Sequence, residues 1–197
     1  MLKSRKVAVT GTIASGKTTV CQLFKELGAY VVSADEIVHQ LLSPDTDIGK
    51  KVITLLGKDV VINGRFSRKA IANKVFCDER LLLALEELLH PEVQKEIEVQ
   101  YRENFQKYSL FVAEVPLLFE SDLQGFYDTT IAVIADEERC KRRFIETTSY
   151  DEAEFMRRAE RLVALEQKAK MADLTIENNG SLEELRASVE KVYTILC

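Results

Sequence analysis

Short uninterrupted apolar runs alternate along the chain with longer segments in which apolar positions recur every three or four residues. Runs of the first kind between turn signals are typical of buried strands, and the longer period is typical of amphipathic helices. Strands separated by helices favour an α/β fold with a parallel, doubly wound sheet. The sequence predicts five such strands, at 6–10, 29–32, 110–116, 130–135 and 174–176.

Local signals set the ends of the predicted helices. His90-Pro91 is expected to divide a long helical segment, because proline is tolerated in a first helical turn but breaks a helix interior. Asp136 is expected to cap the helix after it, and Ser181 with Glu184 has the spacing of a capping box. The predicted helices cover 19–27, 35–42, 48–56, 68–76, 79–89, 91–107, a segment after 136, 151–171 and 181–196.

The segment from Gly11 to Thr18 fits the phosphate-binding loop G-x-x-x-x-G-K-[ST] at every fixed position, and a predicted strand and helix flank it. Glycines let successive backbone N–H groups point at one anion, and the helix N-terminus adds positive charge. Lys17 would then reach the β- and γ-phosphates, and the Thr18 hydroxyl would face Mg²⁺ as the predicted metal ligand. The alternative, a chance turn between strand and helix, is disfavoured by the correct flanks. The predicted nucleotide-binding residues of this loop are Gly11, Ala14, Ser15, Gly16, Lys17, Thr18 and Thr19.

Other candidate residues lie at the carboxyl ends of predicted strands or shortly after them. Asp35, Pro116 with Leu117, and Asp136 share this position with the phosphate loop. Because ligands in doubly wound sheets bind beyond the carboxyl ends of the strands, we expect these residues to converge on one crevice. A carboxylate at Asp35 suits proton abstraction from an attacking hydroxyl, and it also suits the N-cap of the next helix.

Composition narrows the classes of function. Lys and Arg number 27 against 32 Asp and Glu, and the net charge of −5 argues against a general nucleic-acid binder. No apolar run approaches the length of a membrane span and no secretory signal is expected, so we predict a cytoplasmic protein without a membrane partner. The four cysteines are far apart, which disfavours a zinc site or disulfide framework and predicts small core side chains, with Cys197 at the terminus as a candidate exposed thiol.

Several motifs occur in the order and spacing of one kinase family. After the phosphate loop come Asp35, the Leu-Leu-His-Pro of 88–91, the Val-Pro-Leu-Leu-Phe-Glu of 115–120, and the segment 172–180 that ends in Asn-Asn-Gly. With these motifs, essentially the whole chain resembles the dephospho-coenzyme A kinases. The phosphate loop alone is shared by many kinases and NTPases, so the other motifs carry the resemblance. It implies ATP-dependent phosphorylation of the ribose 3′-hydroxyl of dephospho-CoA, the last step of coenzyme A synthesis.

The resemblance also implies how the chain is organised. It implies a P-loop NTPase fold of the nucleotide-kinase type, with a five-stranded parallel sheet and a single kinase domain over 1–197. The core would comprise 1–35, 109–140 and 172–197. An inserted helical region that binds the acceptor would cover 36–108, and a helical lid would cover 141–171.

Residue roles follow from the resemblance. Asp35 matches the aspartate that takes the proton from the acceptor hydroxyl, and Arg143 matches an arginine that contacts bound ATP; with Lys17 they are the expected catalytic residues. A solvated helix face is the alternative for Arg143, because acidic residues are interspersed around it. Glu114 is not assigned as a metal ligand. The implied substrates are ATP and dephospho-CoA, with Mg²⁺ and no obligate protein partner, and the expected acceptor-binding residues are Asp35, His90, Pro116 and Leu117.

The chain departs from the family pattern at three positions. Ser33 replaces the first aspartate of an Asp-Ala-Asp, Thr147 replaces a second lid arginine, and Leu162 replaces a glutamine. Contacts between the lid and ATP would then be rebuilt from Arg157, Arg158 or Arg161.

Two other functions remain open at this point. Nucleoside and nucleoside-monophosphate kinases share the core and the lid, so only the His-Pro, Pro-Leu-Leu-Phe-Glu and Asn-Asn-Gly elements argue against them. A GTPase-like switch lacks support because no Asn-Lys-x-Asp motif occurs, and because Pro116 follows the third strand, where a D-x-x-G switch would be expected.

Overall fold

Five parallel strands form the main sheet in the computed structural model, which describes residues 4–75 and 77–197. The strands of the protein are β1 (Arg5–Gly11), β2 (Tyr30–Ser33), β3 (Val61–Ile62), β4 (Arg65–Phe66), β5 (Leu110–Glu114), β6 (Thr129–Ile134) and β7 (Leu174–Glu177). The order across the main sheet is β2-β5-β1-β6-β7, with every neighbouring pair parallel. The predicted five-stranded parallel sheet is confirmed, and β1 lies at its centre.

Helices connect most of these strands. They are α1 (Lys17–Glu26), α2 (Ala34–Leu41), α3 (Asp47–Leu56), α4 (Arg68–Val75), α5 (Glu79–Asn104), α6 (Glu137–Thr147), α7 (Glu152–Ala159), α8 (Leu165–Met171) and α9 (Leu182–Leu196). In the part of the chain that the structure describes, no helix combines the length and the apolar character needed to cross a membrane.

The main sheet is buried because helices cover it. Val7 and Val9 of β1 are fully buried, in one apolar cluster with Phe24 of α1 and Val189 of α9. Ala8 and its partner Ala113, which point to the other face, are also fully buried, and burial on both faces explains the near-continuous apolar strands of a parallel sheet. The same packing fixes β1 and α1, and the phosphate loop is the short segment between them.

The chain forms two compact units. The first comprises Met1–Ser33 and Tyr101–Cys197 and holds the main sheet; the second comprises Ala34–Gln100. The second unit has its own apolar core, which includes Val52, Val60 and Leu85.

A small hairpin, formed by β3 and β4, belongs to the second unit. Its turn is Asn63-Gly64, and both residues have positive φ, at 51° and 74°. Two residues in this conformation are typical of the turn that matches the twist of a tight hairpin. An Asn-Gly pair between two short extended segments is also the sequence signal for this turn.

The expected break at His90-Pro91 is wrong. Helix α5 continues through Pro91 without interruption from Glu79 to Asn104. Its buried residues recur every four positions on both sides of the proline, at Leu85, Leu89, Val93 and Ile97. The free energy gained by burying this continuous apolar stripe exceeds the free energy lost with the one backbone hydrogen bond that a proline removes.

The single helix expected over 151–171 is also wrong. Two helices, α7 and α8, are separated by a linker of residues 160–164. In the linker, the backbone N–H of Val163 donates to Oε1 of Glu120 at 2.9 Å. A backbone donor that bonds to a distant carboxylate cannot also bond within a helix, so the charged pattern alone overestimated the helix length.

The ends of other helices test the predicted caps. Ser181 and Glu184 form the predicted capping box. Asp136 precedes α6 but makes no capping hydrogen bond; its carboxylate instead accepts from Nδ2 of Asn179 at 3.0 Å. The predicted end of α4 at Phe76 lies outside the described residues. Of the cysteines, Cys21 and Cys140 are buried and Cys197 is exposed, as expected, whereas Cys77 is exposed rather than in the core.

Candidate active site

The phosphate loop depends on two glycines that admit close neighbours. Gly16 has φ of 100°, in the left-handed region, and a Cβ there would collide with the side-chain amide of Asn178. A Cβ on Gly11 would collide with the backbone carbonyl oxygen of Val133. Glycine is therefore required at these positions for two reasons. Gly16 adopts a left-handed backbone conformation, and Val133 of β6 and Asn178 pack too closely against the loop to admit a side chain.

The other predicted loop residues differ in exposure. Ala14 adopts φ of 53°, which is uncommon for a residue with a side chain. Ser15 is buried, whereas Thr18 and Thr19 are exposed at the start of α1. The first N–H groups of α1 have no partner within the helix, so the loop presents donors suited to an anion.

Lys17 and Thr18 take defined positions at the beginning of α1. Nζ of Lys17 donates to the carbonyl oxygen of Thr12 at 2.7 Å, so the side chain folds back over the loop. The Thr18 hydroxyl donates to Oε1 of Glu114 at 2.9 Å. Glu114 ends β5 and pairs in register with Val9, which lies two residues before Gly11.

Thr18 and Glu114 are suited to a hard cation. Among residues 4–75 and 77–197, no cluster of three or more His, Cys, Asp or Glu residues could hold a metal ion. Mg²⁺ in kinase sites, however, is bound by one or two protein oxygens together with substrate phosphates and water, so it needs no such cluster. A hydroxyl and a carboxylate oxygen 2.9 Å apart beside the phosphate loop fit that requirement.

Asn178 links the phosphate loop to Arg143. Its Nδ2 donates to the carbonyl oxygen of Ser15 at 2.7 Å. Its backbone oxygen and Oδ1 accept from Nη2 of Arg143, at 3.0 and 3.4 Å. Ser15, Lys17, Thr18 and Arg143 are thus brought together in the first unit, with Asn178 as the connecting residue.

Arg143 keeps a donor for a ligand. Its Nη1 is buried and has no hydrogen-bond partner in the described part of the chain. A buried guanidinium N–H without an acceptor is costly, and an anionic oxygen is the acceptor that suits it best. This geometry favours the predicted contact with ATP over a purely solvated helix face.

Arg157 and Arg158, in the segment expected to form the lid, both have an acidic partner in α7. Arg157 donates to both carboxylate oxygens of Glu154 at 2.8 Å, and Nε of Arg158 donates to Oε1 at 2.7 Å. These bonds lower the pKa of Glu154 to about 2. The guanidinium of Arg158 also lies 4.5 Å from the ring centre of Tyr150. Which of Arg157, Arg158 and Arg161 contacts ATP stays a prediction.

A cavity of about 410 Å³ lies beside the phosphate loop in the first unit. Cavities of this size are typical of small-ligand sites. Burial raises the pKa of the Cys140 thiol at its wall, so this cysteine stays protonated and unreactive at neutral pH. The lining comes from Thr12 and Ile13 of the loop, Ala135, Glu137 and Cys140, Phe155 and Ala159, and residues 162–166.

Pro116 and Leu117 follow β5 in the first unit. The carbonyl oxygen of Pro116 accepts from Thr10 Oγ1 at 3.1 Å and from Nζ of Lys168 at 3.0 Å. Leu117 is half-buried, and the next residue, Leu118, is fully buried. Pro116 is therefore held in place by side chains from β1 and α8.

The second unit has a larger cavity, of about 700 Å³. Asp35 lies at its edge, in the first turn of α2, so it is not the N-cap of that helix. Arg65 and Arg68 also line the cavity, and neither has a carboxylate partner among the described residues. His90 is half-buried in α5 and does not line this cavity.

Sequence reasoning did not single out Lys168, Arg65 or Arg68. Lys168 lies in the run Glu-Gln-Lys-Ala-Lys, whose composition is that of an exposed helix face. Arg65 lies in the short hairpin strand β4 and Arg68 begins α4, and both side chains are exposed. Asn178 belongs to the Asn-Asn-Gly motif, from which the sequence alone predicts no role for this residue. No local pattern marks these residues, because the partners of Lys168 and Asn178 are distant in sequence and the cavity that Arg65 and Arg68 line forms only in the folded chain.

Solved structures share this fold over nearly the whole chain. A crystal structure from Thermus thermophilus has a TM-score of 0.85 and 30% identity, covering 99% of each chain. A dephospho-CoA kinase from Campylobacter jejuni has a TM-score of 0.65 and 23% identity, covering 98% of this chain and 97% of that one. A shikimate kinase from Acinetobacter baumannii, at 16% identity and a TM-score of 0.54, covers 99% of this chain and 94% of its own. The last two likenesses show a P-loop kinase-like fold.

Sequence comparison gives the family. A family model described as dephospho-CoA kinase matches residues 5–184. The dephospho-CoA kinase of Chlamydia pneumoniae is 48% identical over 198 residues, which cover 100% of this chain and 98% of that protein. The dephospho-CoA kinase of Protochlamydia amoebophila is 48% identical over 196 residues, covering 98% and 97%. The chain therefore belongs to the dephospho-CoA kinase family.

Proposed function

We propose that the chain transfers the γ-phosphoryl group of ATP to the ribose 3′-hydroxyl of dephospho-CoA, giving coenzyme A and ADP, with Lys17, Arg143 and Asp35 in the main roles. As a member of its family, it is an ATP-dependent kinase of coenzyme A biosynthesis. The observation that carries the proposal is the geometry of the phosphate loop between β1 and α1. At the start of α1, the Thr18 hydroxyl donates to the carboxylate of Glu114. A cytoplasmic location and the absence of an obligate protein partner stay predictions.

ATP would bind along the phosphate loop. Backbone N–H groups of the loop and the start of α1 would bind its phosphate oxygens. The ammonium group of Lys17, 2.7 Å from the Thr12 carbonyl oxygen, can exchange that neutral acceptor for a charged phosphate oxygen. The unpaired Nη1 of Arg143 supplies a further donor, and Asn178 holds this guanidinium in place.

Mg²⁺ would be held by Thr18 and Glu114. Held there together with ATP, the ion would supply positive charge that neutralises part of the charge on the phosphates. The two side chains lie at the end of β5 and the start of α1, and the burial of both elements keeps these oxygens in place.

Dephospho-CoA would bind through the second unit. Its cavity offers an apolar floor, from residues such as Leu85 and Leu89, and the cationic groups of Arg65 and Arg68. An elongated acceptor with a diphosphate group needs both kinds of surface. Asp35 at the cavity edge would accept the proton of the attacking hydroxyl.

Replacing Arg65 and Arg68 together by glutamine should raise the KM for dephospho-CoA about tenfold or more, with little change in KM for ATP. Both side chains line the cavity and lack carboxylate partners among the described residues, so their charge is available to the diphosphate. Lys69→Gln, an adjacent exposed lysine outside the cavity lining, is the matched control. Equal rises in the KM for ATP and the KM for dephospho-CoA would contradict the assignment of the two arginines to the acceptor site.

An acceptor panel tests the proposed function directly. ADP release would be measured with ATP, Mg²⁺ and dephospho-CoA, and with adenosine, AMP, CMP, dTMP and pantothenate as comparison acceptors. We expect strong turnover with dephospho-CoA alone, and a product phosphorylated at the 3′ position. Turnover with a nucleoside or nucleoside monophosphate, and none with dephospho-CoA, would still support a kinase but would overturn the assignment of dephospho-CoA as the acceptor.

A further inference from the structure

Lys168 is a fully buried lysine that has no role in the proposed reaction. It belongs to α8, and its side chain has 0% exposure. Nζ lies 3.2 Å from the carbonyl oxygen of Gly11, 3.0 Å from that of Pro116 and 2.9 Å from Oε1 of Glu120. An ammonium group has three N–H donors, so these three acceptors account for all of them.

Glu120 extends the connection to the lid linker. The same Oε1 that pairs with Lys168 accepts the backbone N–H of Val163 at 2.9 Å. The other oxygen, Oε2, is buried and has no hydrogen-bond partner in the described part of the chain. One carboxylate oxygen therefore joins α8 to residues 160–164, the segment that separates α7 from α8.

These bonds tie together four segments of the first unit. They are the first residue of the phosphate loop, the exit from β5, the linker of the lid and helix α8. Val163 also lines the cavity of about 410 Å³ beside the phosphate loop. The pair of Lys168 and Glu120 thus connects Gly11, the neighbour of Thr12 in the cavity lining, with Val163 in the same lining.

Stability alone explains such a pair poorly. Removing two charges from water costs several kcal/mol, and apolar replacements of buried ion pairs are often neutral or stabilising. The lid also contains Lys141, which forms ion pairs with Glu138 and Glu152, whose side chains are 81% and 62% exposed. That arrangement is ordinary for a surface, and it makes Lys141 a suitable comparison for Lys168.

We propose that Lys168 and Glu120 are positioning residues, which hold the lid linker at a fixed place relative to Gly11 and Pro116 and thereby set the geometry of phosphoryl transfer. The inference rests on the proposed roles of the phosphate loop and the lid. Neither side chain needs to touch a substrate. Displacement of the linker would leave the loop able to bind ATP but would misplace the lid, slow transfer and admit water.

The test uses the double substitution Lys168→Met with Glu120→Leu, because a single change would leave an uncompensated buried charge. We expect kcat to fall about 10- to 100-fold at a temperature where the variant is fully folded. The ratio of ATP hydrolysed to acceptor phosphorylated should rise, while KM for ATP changes little. Lys141→Met should leave all three quantities near the wild-type values.

Glu120→Asp is a second variant, for the case that the double variant does not fold. It keeps the negative charge but shortens the side chain, so one oxygen can no longer reach both Lys168 and Val163. We expect a smaller fall in kcat and the same rise in uncoupled hydrolysis. A folded variant of either kind with wild-type kcat and wild-type coupling would overturn the proposal.

Amide hydrogen exchange gives a readout that does not depend on turnover. In the wild type, a non-hydrolysable ATP analogue should slow exchange in a peptide covering 160–164. In both variants this protection should be lost, although the analogue still protects the phosphate loop. Equal protection of 160–164 in variant and wild type would contradict a positioning role, whereas an inactive wild type in the acceptor panel would contradict the proposed function instead.

Discussion

Lys17→Ala should reduce kcat by about a thousandfold or more, close to complete loss of turnover. The ammonium group of Lys17 lies over the phosphate loop, 2.7 Å from the Thr12 carbonyl oxygen. No second lysine of the loop can replace it, because the motif contains one. In the reaction, this charge would stabilise the phosphate oxygens as the bond to the γ-phosphoryl group breaks, and alanine leaves those oxygens uncompensated.

Lys25→Ala is the matched control for this substitution. Lys25 lies in the last turn of the same helix, and its side chain is exposed. It should leave kcat unchanged and lower the melting temperature little. If Lys17→Ala kept near-normal turnover in an ADP-release assay, the assignment of the phosphate loop would fail. A loss of turnover together with a large loss of thermal stability would indicate misfolding rather than a catalytic role.

The phosphate loop could be predicted because its information is local. The strand, the two glycines, Lys17 and Thr18 follow one another along the chain, and the structure has this order from β1 through the loop to α1. The parallel sheet could also be predicted, since apolar runs separated by helices leave few other arrangements. The turn at Asn63-Gly64 was predictable for the same reason, as its conformation depends on two adjacent residues.

The mistaken predictions share a different cause. Pro91 alone indicates a helix break, but α5 has a buried stripe on both sides of it, and Leu85 and Leu89 of that stripe belong to the apolar core of the second unit. In the linker at 160–164, the N–H of Val163 donates to Glu120, which lies 43 positions earlier in the chain, and not to a carbonyl oxygen of a helix. Lys168 is buried for a similar reason, since its acceptors at Gly11 and Pro116 come from other elements. Such partners are set by the fold, and a local pattern does not contain them.

Asp35→Asn should lower kcat by about 10²- to 10⁴-fold while ATP affinity stays close to that of the wild type. The amide is almost the same size as the carboxylate but cannot accept a proton from the acceptor hydroxyl. Asp35 is exposed at the edge of the cavity in the second unit, where an incoming substrate can reach it. The measurements are kcat with dephospho-CoA and the dissociation constant for ATP, determined separately on the same preparation.

The competing role for Asp35 is structural. It lies in the first turn of α2 beside Glu36, where a negative charge interacts favourably with the helix N-terminus by about 0.3–1 kcal/mol. Glu36→Gln removes a charge of the same sign from the same turn, so it reproduces the helix effect without touching the proposed base. If Asp35 is the base, its variant loses turnover while the Glu36 variant does not, and both lose similar small amounts of stability. Equal kcat in the two variants would leave Asp35 with the helix role alone and would move the search for the base to other residues that line the cavity.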